Sequence, residues 1–208
     1  MKKLLVLVFS LFLLSSPSVF ADDISDFEIE GMSIGDSLLD YMTENEILEE
    51  IEINKNLYLH LNEPNKYAEV YFWKNLAQYD AISFMVNNDL ANQYITDKNK
   101  KYTILFIRGM MDYTEDFDSC IVKKDEIAKI LSGMFPNSQK EEYVFTSSVD
   151  PSGKSIVDHI GFIIDSGDKI IVRCNNWEEN YRVKNDFMEG LHVAIETNEI
   201  FEWSSDFK

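Results

Sequence analysis

The chain has 208 residues, 37 of them Asp or Glu against 19 Lys or Arg, for a formal net charge of −18. Such a surface repels phosphate backbones and anionic lipid headgroups, and no basic run longer than Lys98 to Lys101 interrupts it, so nucleic acid and anionic membrane surfaces are poor partners. With 45% hydrophobic and 13% aromatic residues, the chain also has the apolar content that disordered acidic chains lack.

The first 21 residues read as a secretory signal peptide. Lys2 and Lys3 precede an apolar run from Leu4 to Leu14 broken only by Ser10, and Val19-Phe20-Ala21 supplies the cleavage site. Ser15, Ser16 and Pro17 end the run too early for a membrane span. Cleavage after Ala21 leaves residues 22–208, expected as one soluble domain with no membrane insertion, periplasmic or secreted.

Phe27 to Glu30 alternates as a short strand or lead-in, and Ser33 with Asp36 predicts a helix start before Leu38, Leu39 and Met42. Thr43-Glu44-Asn45-Glu46 is a capping box, which predicts a new helical segment with Ile47 and Ile51, ending by Asn54. Period-two patterns follow. Leu57 to Leu61 predicts a strand with a turn at Asn62 to Asn65. Ala68, Val70 and Phe72 face one way, with Tyr67, Glu69, Tyr71 and Trp73 on the other side; Ile82, Phe84 and Val86 make a further strand. After a polar stretch, Tyr102 to Arg108 is a strand with Ile104 and Phe106 opposite Leu105 and Ile107.

Asp112 to Asp118 is an acidic loop before the next helix. It has oxygen ligands for calcium but lacks the alternation and mid-loop glycine of an EF-hand, and acids at a helix start explain it without a metal. Ser119 then caps a helix whose inner face carries Cys120, Ile127, Leu131 and Met134, with Ile130 beside them and Lys123, Lys124, Asp125 and Lys129 on the wet side. Phe135-Pro136-Asn137 stops it. Glu142 to Ser147 is a strand. Ile156 to Asp165 and Lys169 to Asn175 form a hairpin across Ser166-Gly167-Asp168. A polar connection runs from Trp177 to about Asn185. Leu191, Val193 and Ile195 make the last strand, and Thr197 caps a terminal helix through Ile200 and Trp203. The fold class is α+β, with antiparallel sheet meanders, no crossover helix, and helices packed on one face. A division into two similar halves stays open.

Gly153-Lys154-Ser155 resembles the end of a phosphate-binding loop, but the glycine five residues before Gly153 is replaced by Ser148 and a hairpin turn is the better reading. No pair of histidines or cysteines has zinc-ligand spacing, and no metal or cofactor is predicted. The only two cysteines, Cys120 and Cys174, both point inward by periodicity, and export favours a disulfide between them. Two buried thiols, or a reactive Cys120 at a helix start, are the other readings. A bridge over a loop this long stabilises by ~4 kcal/mol in the chain-entropy model. Tyr71, Trp73 and Trp177 are candidate stacking platforms, with core or sheet-face packing the alternative. Arg173, Asn175, Asn176, Trp177 and Arg182 form the candidate polar binding patch. No catalytic set is predicted.

Two resemblances bear on function. Cys120 at a helix start, with His159-Ile160-Gly161 in a hairpin, resembles exported papain-like cysteine peptidases that cut cell-wall peptides. The glycine near the nucleophile is absent, and so is a third catalytic residue after His159. More broadly, the stretch from Phe27 through Gly31-Met32-Ser33-Ile34-Gly35-Asp36 to Asp40, the Cys120 helix ending Phe135-Pro136-Asn137, and the Ser152 to Ser155 and Asp165 to Asp168 turns resemble small exported proteins of streamlined marine alphaproteobacteria. That resemblance implies a compartment and a lineage, and no activity. The expectation is a non-catalytic periplasmic binding or interaction protein whose partner is a small molecule or an envelope protein. The alternative is a cysteine hydrolase using Cys120 and His159.

Overall fold

The computed structural model describes residues 24–57, 61, 66–88 and 95–205. The stretch expected to be a signal peptide lies outside these residues, as do most of the strand expected at Leu57 to Leu61 and its turn at 62–65. Seven strands form one fully antiparallel sheet in the order β1-β2-β3-β7-β6-β5-β4. They are β1 (Tyr67–Phe72), β2 (Ala81–Asn87), β3 (Ile104–Asp112), β4 (Gln139–Thr146), β5 (Ile156–Ile163), β6 (Lys169–Asn176) and β7 (Gly190–Glu196). Four helices accompany them: α1 (Glu44–Asn54), α2 (Phe117–Met134), α3 (Glu179–Asn185) and α4 (Asn198–Ser205). The α+β class and antiparallel pairing are as the sequence predicts.

The topology corrects one expectation. After the β1–β3 meander the chain crosses the sheet through α2 and enters β4 at the far edge. It returns as a second meander, and β7 closes against β3 over seven paired positions from Phe106↔Glu196 to Asp112↔Gly190. A crossover helix is therefore present, but it joins strands that are not neighbours, so every pairing stays antiparallel. The two meanders differ in strand number, and no duplication follows from them.

The main core lies between the sheet and α1 and α2. Ala68, Val70, Ile82, Phe84, Val86, Val172, Val193 and Ile195 face it from the strands, with Ile47, Ala128 and Leu131 from the helices. Each large apolar side chain removed from water there contributes about 1.5–3 kcal/mol. The terminal helix departs from the one-face arrangement. Ile200 and Trp203 of α4 pack on the opposite face, against Tyr67, Met85, Leu105 and Phe106. Leu105 and Phe106 reach that side together because the β2–β3 register shifts between Met85 and Val86. The bulge adds one residue to β3, so Ile104 and Ile107 share the core face, contrary to simple alternation.

Local chemistry explains the helix ends. The predicted capping box of α1 is present: Thr43 Oγ1 accepts from Glu46 N, and Thr43 N donates to Glu46 Oε2 at 3.0 Å. At Leu38–Asp40 only a 3₁₀ turn forms, because Asp36 accepts from Ser33 N and Tyr41 and folds the chain back locally. Residues 27–30 make an isolated bridge, Ile29↔Met32, with no strand. The start of α2 is one turn earlier than predicted, because Asp116 is the cap and accepts from Ser119 N. Thr197 caps α4 as expected, accepting from Ile200 N.

Lys124 and Ile130 exchange their predicted places on α2. Lys124 follows Cys120 by four residues on the buried face and is 2% exposed, while Ile130 is 54% exposed. The lysine is held by Asp158 of β5, with Nζ–Oδ1 at 2.5 Å, and by Asp125 at 3.3 Å. Burial pulls its pKa down, but the Asp158 and Asp125 hydrogen bonds and charges outweigh that and raise it. A polarity count puts every lysine in water; only the position of Asp158 shows why this one is inside.

Candidate binding cleft

Three chain segments meet where β3 and β6 end and β7 begins. The β3–α2 loop brings Thr114 and Glu115, the first turn of α2 brings Phe117, and the end of β6 brings Asn176 and Trp177. From the segment between β6 and β7 come Glu179 and Arg182 of α3 and then Glu189. They line a cleft of about 260 Å³, just below the range of about 300–1,000 Å³ typical of small-molecule sites.

Glu189 is the hub. It is 7% exposed, and its carboxylate accepts from Trp177 N at 3.3 Å and Glu115 N at 3.4 Å while facing Arg182 Nε at 3.5 Å. One side chain thus ties together the three segments that form the cleft. The next residue, Gly190, has φ +129, and a Cβ there would collide with the Met111 carbonyl and come within 2.6 Å of Tyr113 N. The backbone closes on itself at that point, which only glycine permits.

The indole of Trp177 is fixed at both ends. Its Nε1 donates to the Met188 carbonyl at 3.1 Å, and its ring sits 5.0 Å from Phe187 and 6.2 Å from Tyr181. The turn of α3 that carries Arg182 is buttressed from behind. Ser155 Oγ accepts from Glu178 N at 2.9 Å, and Glu178 caps α3 by accepting from Tyr181 N. Ser155 is held in turn by Asp150, whose carboxylate also accepts from Ser152. Burial opposes ionisation of Asp150, but the hydrogen bonds from Ser152 and Ser155 outweigh it and hold the carboxyl well below its usual range. The stretch resembling a phosphate loop is therefore a turn that props the cleft, with Gly153 at φ +68.

The disulfide runs underneath. Cys120 and Cys174 are bonded, both fully buried, with Cα atoms 6.0 Å apart. Phe117 is one helical turn before Cys120 and Asn176 is two residues after Cys174, so the bridge joins the α2 wall of the cleft to the β6 wall. Both cysteines reach it as periodicity predicts.

Of the predicted patch, Asn176, Trp177 and Arg182 come together in the cleft, but Arg173 and Asn175 do not line it. Arg173 alternates onto the sheet face away from α1 and α2, in register between His159 and His192. Asn175 is 1% exposed, and its Nδ2 has no hydrogen-bond partner among the described residues. Thr114, Glu115, Phe117, Glu179 and Glu189 were not foreseen. Helix α3 replaces the predicted polar connection; its Val183 is exposed, so it shows no apolar period, and only the Glu178 cap and the left-handed Asp186 (φ 54) mark its ends. Glu189 carries no local signal, because Trp177 and Glu115 reach it through strand pairing.

The other constellations resolve elsewhere. Cys120 lies on the core face of the sheet in the disulfide, whereas His159 lies on the opposite face, stacked on Tyr143 at 4.6 Å; the two are not brought together. Asp112 is engaged by Thr114 N and Oγ1, Asp116 is a helix cap, and no group of three His, Cys, Asp or Glu converges among the described residues. Tyr71 and Trp73 stack at 5.6 Å near the β1 edge, with Trp73 56% exposed, apart from the cleft. No helix among the described residues is long and apolar enough to cross a membrane. In comparisons with known protein families, curated proteins and solved structures, none matches the chain.

Proposed function

We propose that the protein is a non-catalytic binding protein of the bacterial envelope, periplasmic or secreted, and that it holds a small organic cation in the Trp177 cleft. The carrying observation is the lining: the aromatic rings of Trp177 and Phe117 share a space with Glu115, Glu179 and Glu189, against Arg182 as the one cation. Glu189 already faces Arg182, which leaves Glu115 and Glu179 to meet an ammonium group whose other side lies against an aromatic face; such a cation–π contact adds about 0.5–2 kcal/mol. The disulfide suits an oxidising compartment. The resemblance to small exported alphaproteobacterial proteins points the same way.

Calorimetric titration with choline, putrescine and lysine, each beside a neutral analogue of similar size, tests this reading. At least one amine is expected to bind in preference to its neutral analogue, and Trp177→Ala is expected to abolish the binding without unfolding the protein. Equal response to charged and neutral probes, or binding that survives in Trp177→Ala, would overturn it.

A further inference from the structure

We propose that β4 is a self-association edge, at which two copies of this chain pair antiparallel about a two-fold axis at Val144. The two edges of the sheet are treated differently. At the β1 edge, the Glu50 carboxylate of α1 takes the Tyr71 N–H at 3.2 Å, which occupies a backbone donor that an incoming strand would need. At the β4 edge, no described residue pairs on the outer side, and every residue of the strand except Glu141 is exposed. Its pairing with β5 is regular from Gln139↔Ile163 to Thr146↔Ile156, without a bulge. Natural sheets protect such an edge with proline, bulges or charges. From Tyr143 to Thr146 this one has none of them. Instead Tyr143, Val144 and Phe145 are 46%, 65% and 40% exposed, and Val149 and Ile156 extend the apolar surface beside them.

The strand's own sequence selects a second copy as the occupant. An antiparallel pairing centred on Val144 sets Val144 against Val144 and Tyr143 against Phe145 on both sides, all apolar or aromatic contacts. Glu142 then faces Thr146 and Glu141 faces Ser147, so no acid is placed opposite an acid. That matters for a chain with a net charge of −18. A basic foreign strand has less to recognise, because Glu141 already faces His159 at 3.4 Å and Glu142 is paired with Lys140 at 3.0 Å.

Sedimentation equilibrium of the exported protein at physiological salt, up to about 100 µM, reads the outcome; a contact of one strand pair with its flanks is expected to associate in that range. The wild type is expected to form dimers. Val144→Glu and Val144→Lys are each expected to weaken association by more than about tenfold, since like charges meet on the axis. An equimolar mixture of the two variants is expected to recover dimers, because Glu then faces Lys. Thermal melting of both variants confirms that they fold. A wild type that stays monomeric, a Val144→Glu protein that still dimerises, or a mixture that stays monomeric would each overturn the proposal.

Discussion

His192 is buried on the sheet face away from α1 and α2, and neither ring nitrogen has a well-formed hydrogen bond among the described residues. Burial first, and then the charges of Arg173 and Arg108, push its pKa well below the ordinary value, so it is neutral in the folded protein at pH 7. The sign follows from linkage. Below about pH 6.5 the unfolded chain takes up a proton that the folded one refuses, so stability falls as the pH drops from there towards the depressed folded value. Above about pH 6.5 His192 adds no slope. His192→Leu is expected to flatten the loss between pH 7 and 5, by up to about 1.4 kcal/mol per pH unit, in urea unfolding curves. Parallel slopes for wild type and variant would show that His192 titrates alike in both states.

At the scale of elements, the disulfide is what joins the cleft walls. α2 meets the sheet through apolar contacts, and through Lys124 with Asp158, but the covalent link sits at the end nearest the cleft. Replacing both cysteines by alanine is expected to cost about 2–5 kcal/mol in unfolding free energy. The same variant, kept below its melting temperature, is expected to bind the amine probe more weakly, because Phe117 and Trp177 lose their shared anchor. Stability lost with affinity unchanged would confine the bridge to a fold-wide role. The α3 turn is a second device of this kind. Its hydrogen-bond chain from Asp150 through Ser155 to Glu178 ties a surface loop to the helix that carries Arg182.

At the scale of the whole molecule, the chain carries an excess of carboxylates around its seven-stranded sheet of described residues. Repulsion among them opposes the compact state and is screened by salt, with a Debye length of about 10 Å at 0.1 M. The melting temperature is therefore expected to rise between low-salt buffer and about 0.5 M sodium chloride, a range that shortens the Debye length severalfold. An unchanged or falling melting temperature would mean that the paired contacts, such as Lys66 with Glu199 and Lys98 with Asp40, outweigh the net repulsion. The sheet topology also sets where function is found. Because β7 inserts between β3 and β6, the ends of both meanders converge, and the cleft forms where they meet.

Local patterns determined much of this protein. The Thr43 capping box, the β5–β6 hairpin, the alternation in β1, β2 and β7, and the inward faces of Cys120 and Cys174 all follow from residue spacing, because backbone periodicity alone fixes them. Trp177 and Arg182 were also legible as a polar and aromatic patch. The tertiary structure alone decided the rest. The bulge that turns Phe106 away from Ile104 depends on β2, the burial of Lys124 depends on Asp158, and Glu189 meets Glu115 and Trp177 through the β3–β7 and β6–β7 pairings. Arg173 and Asn175 left the patch for the same reason: strand alternation sends them to one side of the sheet, while the cleft opens at its end.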